Sequence, residues 1–94
     1  MMKVFVNDSK NDIFPIDNIS GKTKLRELKQ KIIVKKNIDT TAYDIDIIWN
    51  GANLDDDNED LDYYDISNGV QLLYIRKFKA GLNIKIIYDF ITFK

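Results

Sequence analysis

The 94-residue sequence contains no cysteine and no histidine. The first absence removes disulfides, thiolate metal sites and thiol nucleophiles. The second removes the commonest general base and the commonest metal ligand. Together they weigh against an enzyme, and a non-enzymatic protein without cofactor or metal is expected. No window approaches the roughly 18 apolar residues that a membrane span requires. Lys3 and Asn7-Asp8 interrupt the apolar N-terminus too early for a secretory signal. The expected setting is the cytoplasm or nucleus, with no membrane partner. Proline occurs once and glycine four times, so breakers are few and each marks a definite place. A chain of this length forms one domain that buries roughly 60 to 65% of its unfolded surface.

The chain is organised around Ile45 to Ile75. Ile45-Asp46-Ile47-Ile48-Trp49 is β-branched and aromatic and stops at Asn50-Gly51, a strand entering a tight turn. Val70-Gln71-Leu72-Leu73-Tyr74-Ile75 alternates, with Val70, Leu72 and Tyr74 on one face, and Asn68-Gly69 precedes it. Between these strands, Leu54, Leu61, Tyr64 and Ile66 are isolated apolar anchors of a polar crossover. Upstream, Lys3 to Asn7 reads as a strand and Asp12 to Ile19 as a second, with Phe14 and Ile16 inward. Pro15 lacks an N–H and places that second strand at a sheet edge. Leu25, Leu28 and Ile32 recur at helical spacing, which predicts a helix over 24–36 with Thr23 as N-cap and Asn37 as stop. Ile33 and Val34 fall off its apolar stripe, and residues 38–43 read as an irregular connection. Leu28, Ile32, Leu61 and Leu72 are expected to meet between helix and sheet.

Charge is segregated. Residues 22–36 carry seven Lys or Arg against Glu27 alone, whereas residues 37–65 carry ten acids and no base. That pattern fits either solvated surfaces or a dipolar surface that steers a partner. Asp55-Asp56-Asp57-Asn58-Glu59-Asp60 suggests calcium, but an EF-hand loop needs glycine sixth and glutamate twelfth. Asp60 and Ile66 stand there instead. A solvated loop is the expectation, with Tyr64 as a buried phenol hydrogen-bonded to its backbone.

The order hairpin, helix, strand, crossover, strand predicts an α+β fold with a mixed sheet packed on one helix. It resembles ubiquitin and the ubiquitin-like β-grasp family over residues 2–81. Met2-Lys3-Val4-Phe5-Val6 is similar to that family's opening strand, and Leu25 to Ile32 to its helix. Ile47-Ile48-Trp49-Asn50-Gly51 with Leu54 resembles its third strand and turn. Leu61-Asp62-Tyr63-Tyr64-Asp65-Ile66 resembles its late crossover, and Leu72-Leu73-Tyr74-Ile75 its last strand. The resemblance implies that surfaces do the work. One is an apolar patch on the exposed sheet face, here Ile48, Leu73 and Ile75. The other is a C-terminal glycine joined to target lysines, for which Gly81 is the candidate.

The chain departs from ubiquitin at both. The turn Asp8-Ser9-Lys10-Asn11 has no leucine, and Leu73 stands where ubiquitin has a histidine. Ala52 and Asn68 occupy the positions of its main chain-linking lysines. Ala80 replaces the first glycine of the family ending, and thirteen residues follow Gly81. The domain is therefore expected over residues 1–81, with an apolar extension over 82–94. Leu82, Ile84, Ile86, Tyr88 and Phe90 alternate in that extension, which is strand periodicity. An unpaired segment of this kind is an aggregation hazard. It is expected to stay attached and to pack as an added strand or against a partner.

Three functions follow from the resemblance. The leading one is docking to ubiquitin-pathway or proteasome receptors through the sheet face. The second is a modifier conjugated through Gly81 after removal of residues 82–94. The third is an RNA-contacting module similar to a spliceosomal ubiquitin-like domain, motivated by Tyr63-Tyr64, Asn68-Gly69 and the five basic residues from Arg76 onward. No aromatic residues interleave the helix lysines for base stacking, which weighs against RNA.

Overall fold

The computed structural model describes residues 2–10 and 12–79. Gly81 and the expected extension over residues 82–94 lie outside the described residues. The elements are β1 (Met2–Asn7), β2 (Ile13–Ile19), α1 (Leu25–Lys36), β3 (Tyr43–Trp49), β4 (Ala52–Asn53) and β5 (Gln71–Phe78). They form one five-stranded sheet in the order β2-β1-β5-β3-β4. β1 and β5 run parallel at its centre, and the other neighbours are antiparallel. β2 is an edge strand, as Pro15 requires.

One face of the sheet packs on α1. Val4 and Val6 of β1, Phe14 and Ile16 of β2, Ile45 and Ile47 of β3, and Leu72 and Tyr74 of β5 are all buried. They alternate with exposed or half-buried neighbours, as a sheet with one covered face dictates. Leu25, Leu28 and Ile32 complete this core from the helix, and Leu54, Leu61 and Ile66 from the crossover. The four residues expected to meet, Leu28, Ile32, Leu61 and Leu72, are at most 1% exposed. Ile33 is half-buried against the core, while Val34 is 70% exposed.

Thr23 is not the N-cap of the helix. Its Oγ1 accepts the Ser20 N–H at 2.9 Å, so the hydroxyl is turned back into the preceding loop. Lys24 is the N-cap, and an ammonium side chain cannot accept the orphan N–H groups of a first turn. The acidic loop supplies the acceptors. Leu25 N–H donates to the Glu59 carbonyl at 2.9 Å and Arg26 N–H to the Asp57 carbonyl at 3.1 Å, while Glu27 Oε1 accepts the Lys24 N–H at 3.2 Å. Lys24 Nζ donates to the Asn58 carbonyl at 3.0 Å, and Lys29 pairs with Asp57 at 2.8 Å. Basic helix and acidic loop therefore face each other, and acids beside a helix N-terminus suit its dipole. At the other end Asn37 adopts φ 53°, and Ile38 N–H reaches the Ile33 carbonyl at 3.0 Å, a Schellman closure.

Two further boundaries, at β3 and β5, differ from expectation, while the expected turn at Asn50-Gly51 forms and adds a short strand. β3 begins at Tyr43, because its N–H and that of Ala42 close a turn on the Asp39 carbonyl and deliver the chain directly into the sheet. Asn50 and Gly51 have φ 57° and 80°, a pair of positive values that makes a tight reversal and brings Ala52 opposite Trp49 as the short β4. β5 starts at Gln71, leaving Val70 half-buried just before it, and runs on to Phe78 against the earlier start of β3.

Tyr64 is half-buried rather than buried, yet it braces the loop as expected. Its hydroxyl accepts the Asp56 N–H at 2.8 Å and donates to the Asp56 carbonyl at 3.1 Å. The Tyr64 carbonyl accepts Trp49 Nε1–H at 3.1 Å, tying crossover to β3.

Leu72→Ala should cost about 2 to 5 kcal/mol, read as a lowered urea midpoint, since it opens a cavity under a sheet that cannot fully collapse. Tyr64→Phe should cost about 0.5 to 1.5 kcal/mol. Fluorescence of Trp49, the one tryptophan, reports that transition, and an unchanged midpoint would mean the brace contributes nothing.

Candidate functional site

The candidate site is the sheet face turned away from the helix. Because side chains alternate along a strand, every inward residue fixes an outward neighbour. Ile47 is fully buried, so Ile48 points out; Leu72 and Tyr74 are buried, so Leu73 and Ile75 point out. The register then decides whether these outward residues meet. Ile48 pairs directly with Leu73 across β3 and β5, and Ile75 lies two residues further along β5, opposite Asp46. Ile48 and Leu73 are half-buried, while Ile75 is 37% exposed. Directly opposed side chains on one face lie close enough to cover part of each other. The three residues chosen from sequence therefore form one contiguous group.

The same row continues across the sheet. Asn7 pairs with Leu73 on one side and with Ile13 on the other. Ile13 is 50% exposed and was not among the expected site residues. Strand parity carries the signal for it, because inward Phe14 and Ile16 put Ile13 outward. Asn7 interrupts the apolar row, but its Oδ1 accepts the Ser9 N–H at 2.9 Å and so is engaged with the turn. A second outward row holds Pro15, half-buried Phe5 and Gln71.

Charge borders the group. Asp46, beside Ile75, pairs with Lys77 at 3.3 Å. Below the Ile13 end, Lys36 at the end of the helix forms ion pairs with Asp12 and with Asp8, the latter at 3.5 Å, and lies 5.1 Å from the Phe14 ring centre. This network clamps the β1–β2 turn onto α1. The Lys10 N–H hydrogen bond holds the Asp8 carboxyl below its ordinary range, helped by the Asp12 N–H and the Lys36 charge and opposed by desolvation. Asp12 hydrogen-bonding raises Lys36 in turn. The arrangement is an apolar surface with polar borders.

No protein-family model and no curated protein matches the sequence. Among solved structures, 320 chains match. One is the crystal structure of the UBL domain of Plasmodium falciparum Dsk2, with a TM-score of 0.69 and 22% sequence identity, covering 81% of this chain and 97% of that one. The fold is a ubiquitin-like β-grasp. No helix among the described residues is long and apolar enough to cross a membrane.

The Asp8 clamp gives a pH prediction. A carboxylate whose folded pKa is depressed stabilises the fold above its unfolded pKa, and loses that contribution as pH falls through the lower folded value. Asp8→Asn should therefore lower the urea midpoint at neutral pH. The gap from wild type should narrow as pH drops below about 3.8, the ordinary value for this group. A gap independent of pH would assign the effect to something other than the ionised carboxylate.

Proposed function

We propose that this is a non-enzymatic ubiquitin-like protein that docks ubiquitin-pathway or proteasome receptors through the outward sheet face. The observation that supports this reading is the direct pairing of Ile48 with Leu73, with Ile75 beside them. Three aliphatic side chains sit together on the face the helix does not cover, ringed by Asp46, Lys77 and Asn7. A small apolar centre within a polar rim is the anatomy of a modest protein interface. Residues held on strands are already arranged when a partner arrives, so docking through them loses little ordering entropy. Ile13 extends the surface toward β2.

The modifier reading needs Gly81 as a free C-terminus, and Ala80 adds a methyl group where the family ending has glycine. Intact mass of the protein recovered from its own cells separates the two readings, since a species ending at Gly81 would favour the modifier.

Ile48→Ala should weaken binding to a proteasomal ubiquitin receptor by more than about 1 kcal/mol, roughly fivefold, while leaving the urea midpoint close to wild type. Titration calorimetry with both proteins measures the first quantity and Trp49 fluorescence the second. Unchanged affinity, or a variant that unfolds, would remove Ile48 from the docking surface.

A further inference from the structure

Among the described residues, the two most exposed large apolar side chains are Val34, at 70%, and Tyr63, at 64%. They stand in surroundings of opposite charge.

Val34 belongs to the last turn of α1. Together with Glu27, Gln30, Lys31 and Lys35 it lines a shallow depression of about 500 Å³ on the outer side of the helix. Glu27 is engaged at the helix start, where its Oε1 accepts the Lys24 N–H. The other lysines of this segment are met by acceptors of the same chain: Lys24 by the Asn58 carbonyl, Lys29 by Asp57, and Lys36 by Asp8 and Asp12. Lys31 and Lys35 form no ion pair among the described residues. Asp17 shares a small cleft with them but stays beyond ion-pair distance. The facet is thus an aliphatic centre beside two ammonium groups.

Tyr63 lies in the crossover, where residues 55–65 contain acids and no base. Asp62 and Asp65 on either side of it are exposed. Its N–H donates to Asp60 Oδ1 at 2.9 Å, and its ring stands edge-on to Tyr64 at 5.0 Å. The ring is therefore held in place while most of it faces water. Lys22 approaches Asp62 only to 3.9 Å, and both side chains are largely in solvent. This facet is an aromatic centre among carboxylates.

The two facets of one molecule cannot meet. The crossover is tied to the start of the helix, with Leu61 N–H on the Thr23 carbonyl at 3.0 Å and Asp62 N–H on the Gly21 carbonyl at 2.9 Å. Val34 is at the other end, and the helix from Lys24 to Val34 spans about 15 Å.

We propose that the Val34 facet of one molecule receives the Tyr63 facet of a second copy of this chain. Charge complementarity selects that occupant: Lys31 and Lys35 meet Asp62 and Asp65 while Val34 and Tyr63 cover each other. Because the two facets differ, the contact is heterologous and joins copies head to tail. One apolar contact with a few screened ion pairs makes it weak, with a dissociation constant on the order of 0.1 to 1 mM. The inference is independent of the docking reading, since neither facet is on the outward sheet face.

The test is sedimentation equilibrium of the full chain at neutral pH. At low salt the weight-average mass should rise with concentration, and at roughly 500 mM salt it should return to the monomer value. Val34→Glu puts a carboxylate at the centre of one facet, and Tyr63→Lys an ammonium at the centre of the other. Each variant alone should remain monomeric at low salt. An equimolar mixture of the two should rise toward twice the monomer value and stop there, because it pairs the one intact facet of each and leaves none to extend the chain. Both positions are mostly in solvent, so Trp49 fluorescence in urea should give wild-type midpoints. Lys35→Glu or Asp62→Lys on the same facet replaces a variant that does not. A wild type that is monomeric throughout, association that survives high salt or either substitution, or a mixture that stays monomeric would each overturn the proposal.

Discussion

The parallel contact between β1 and β5 is the constraint on which the rest depends. Parallel neighbours cannot be joined by a hairpin and need a long connection. Here the connection includes β2, the helix, β3, β4 and the crossover, so every other element is enclosed by this one pairing. Its closure is secured at a single corner. Lys3 N–H donates to Asn68 Oδ1 at 2.9 Å, Gly69 N–H to the Lys3 carbonyl at 2.7 Å, and Phe5 N–H to the Val70 carbonyl at 2.9 Å. Gly69 has φ 89°, which a residue with a side chain rarely adopts. The corner fixes the register of Val6 against Leu72, part of the floor on which the helix rests. Contacts of such sequence separation form late at a cost in loop entropy, which predicts slower folding than that of a helical bundle of equal size.

The charge segregation is resolved largely within the molecule. The basic helix start and the acidic loop lie against each other through Glu59 and Asp57 carbonyls, the Lys24 contact to Asn58 and the Lys29–Asp57 pair. The backbone bonds matter most here, because exposed ion pairs contribute little in water. A loop composed almost wholly of acids can present its carbonyls to a helix N-terminus without apolar anchors of its own, since Leu54 and Leu61 at its ends are both buried.

Much of this was legible in the sequence, because the strongest signals are periodic. Strand parity gave the inward set of β1, β3 and β5, while Ile48, Leu73 and Ile75 came from the resemblance and lie at the outward parity. Helical spacing gave Leu25, Leu28 and Ile32. What stayed hidden depends on partners distant along the chain. Thr23 satisfies the composition rule for an N-cap, yet the acceptors come from residues 57–59, which no local rule can place. Tyr43 and Phe78 lack a local strand pattern of their own; they extend β3 and β5 because each supplies the other with a partner and a stacked ring at 5.1 Å. Ile13 was missed although parity pointed to it, because the site was sought by likeness to a known patch rather than by following the row across the sheet.

Core and contact face share the same strands at opposite parity, so one residue of slippage in β3 would send Ile48 inward and Ile47 to the surface. Two local devices oppose that slip from opposite ends. The reversal at Asn50-Gly51 fixes β3 against β4, with Trp49 opposite Ala52 and its indole N–H held by the Tyr64 carbonyl. The Asn68-Gly69 corner fixes β5 against β1. Between these anchors the β3–β5 ladder carries Ile48 to Leu73 without a bulge. The contact group thus owes its geometry to turns that contribute no side chain to it, and substitutions at Asn50, Gly51 or Gly69 should perturb the face and the core together. A change confined to Ile48 or Ile75 leaves those anchors intact, so it should alter the face without altering the fold.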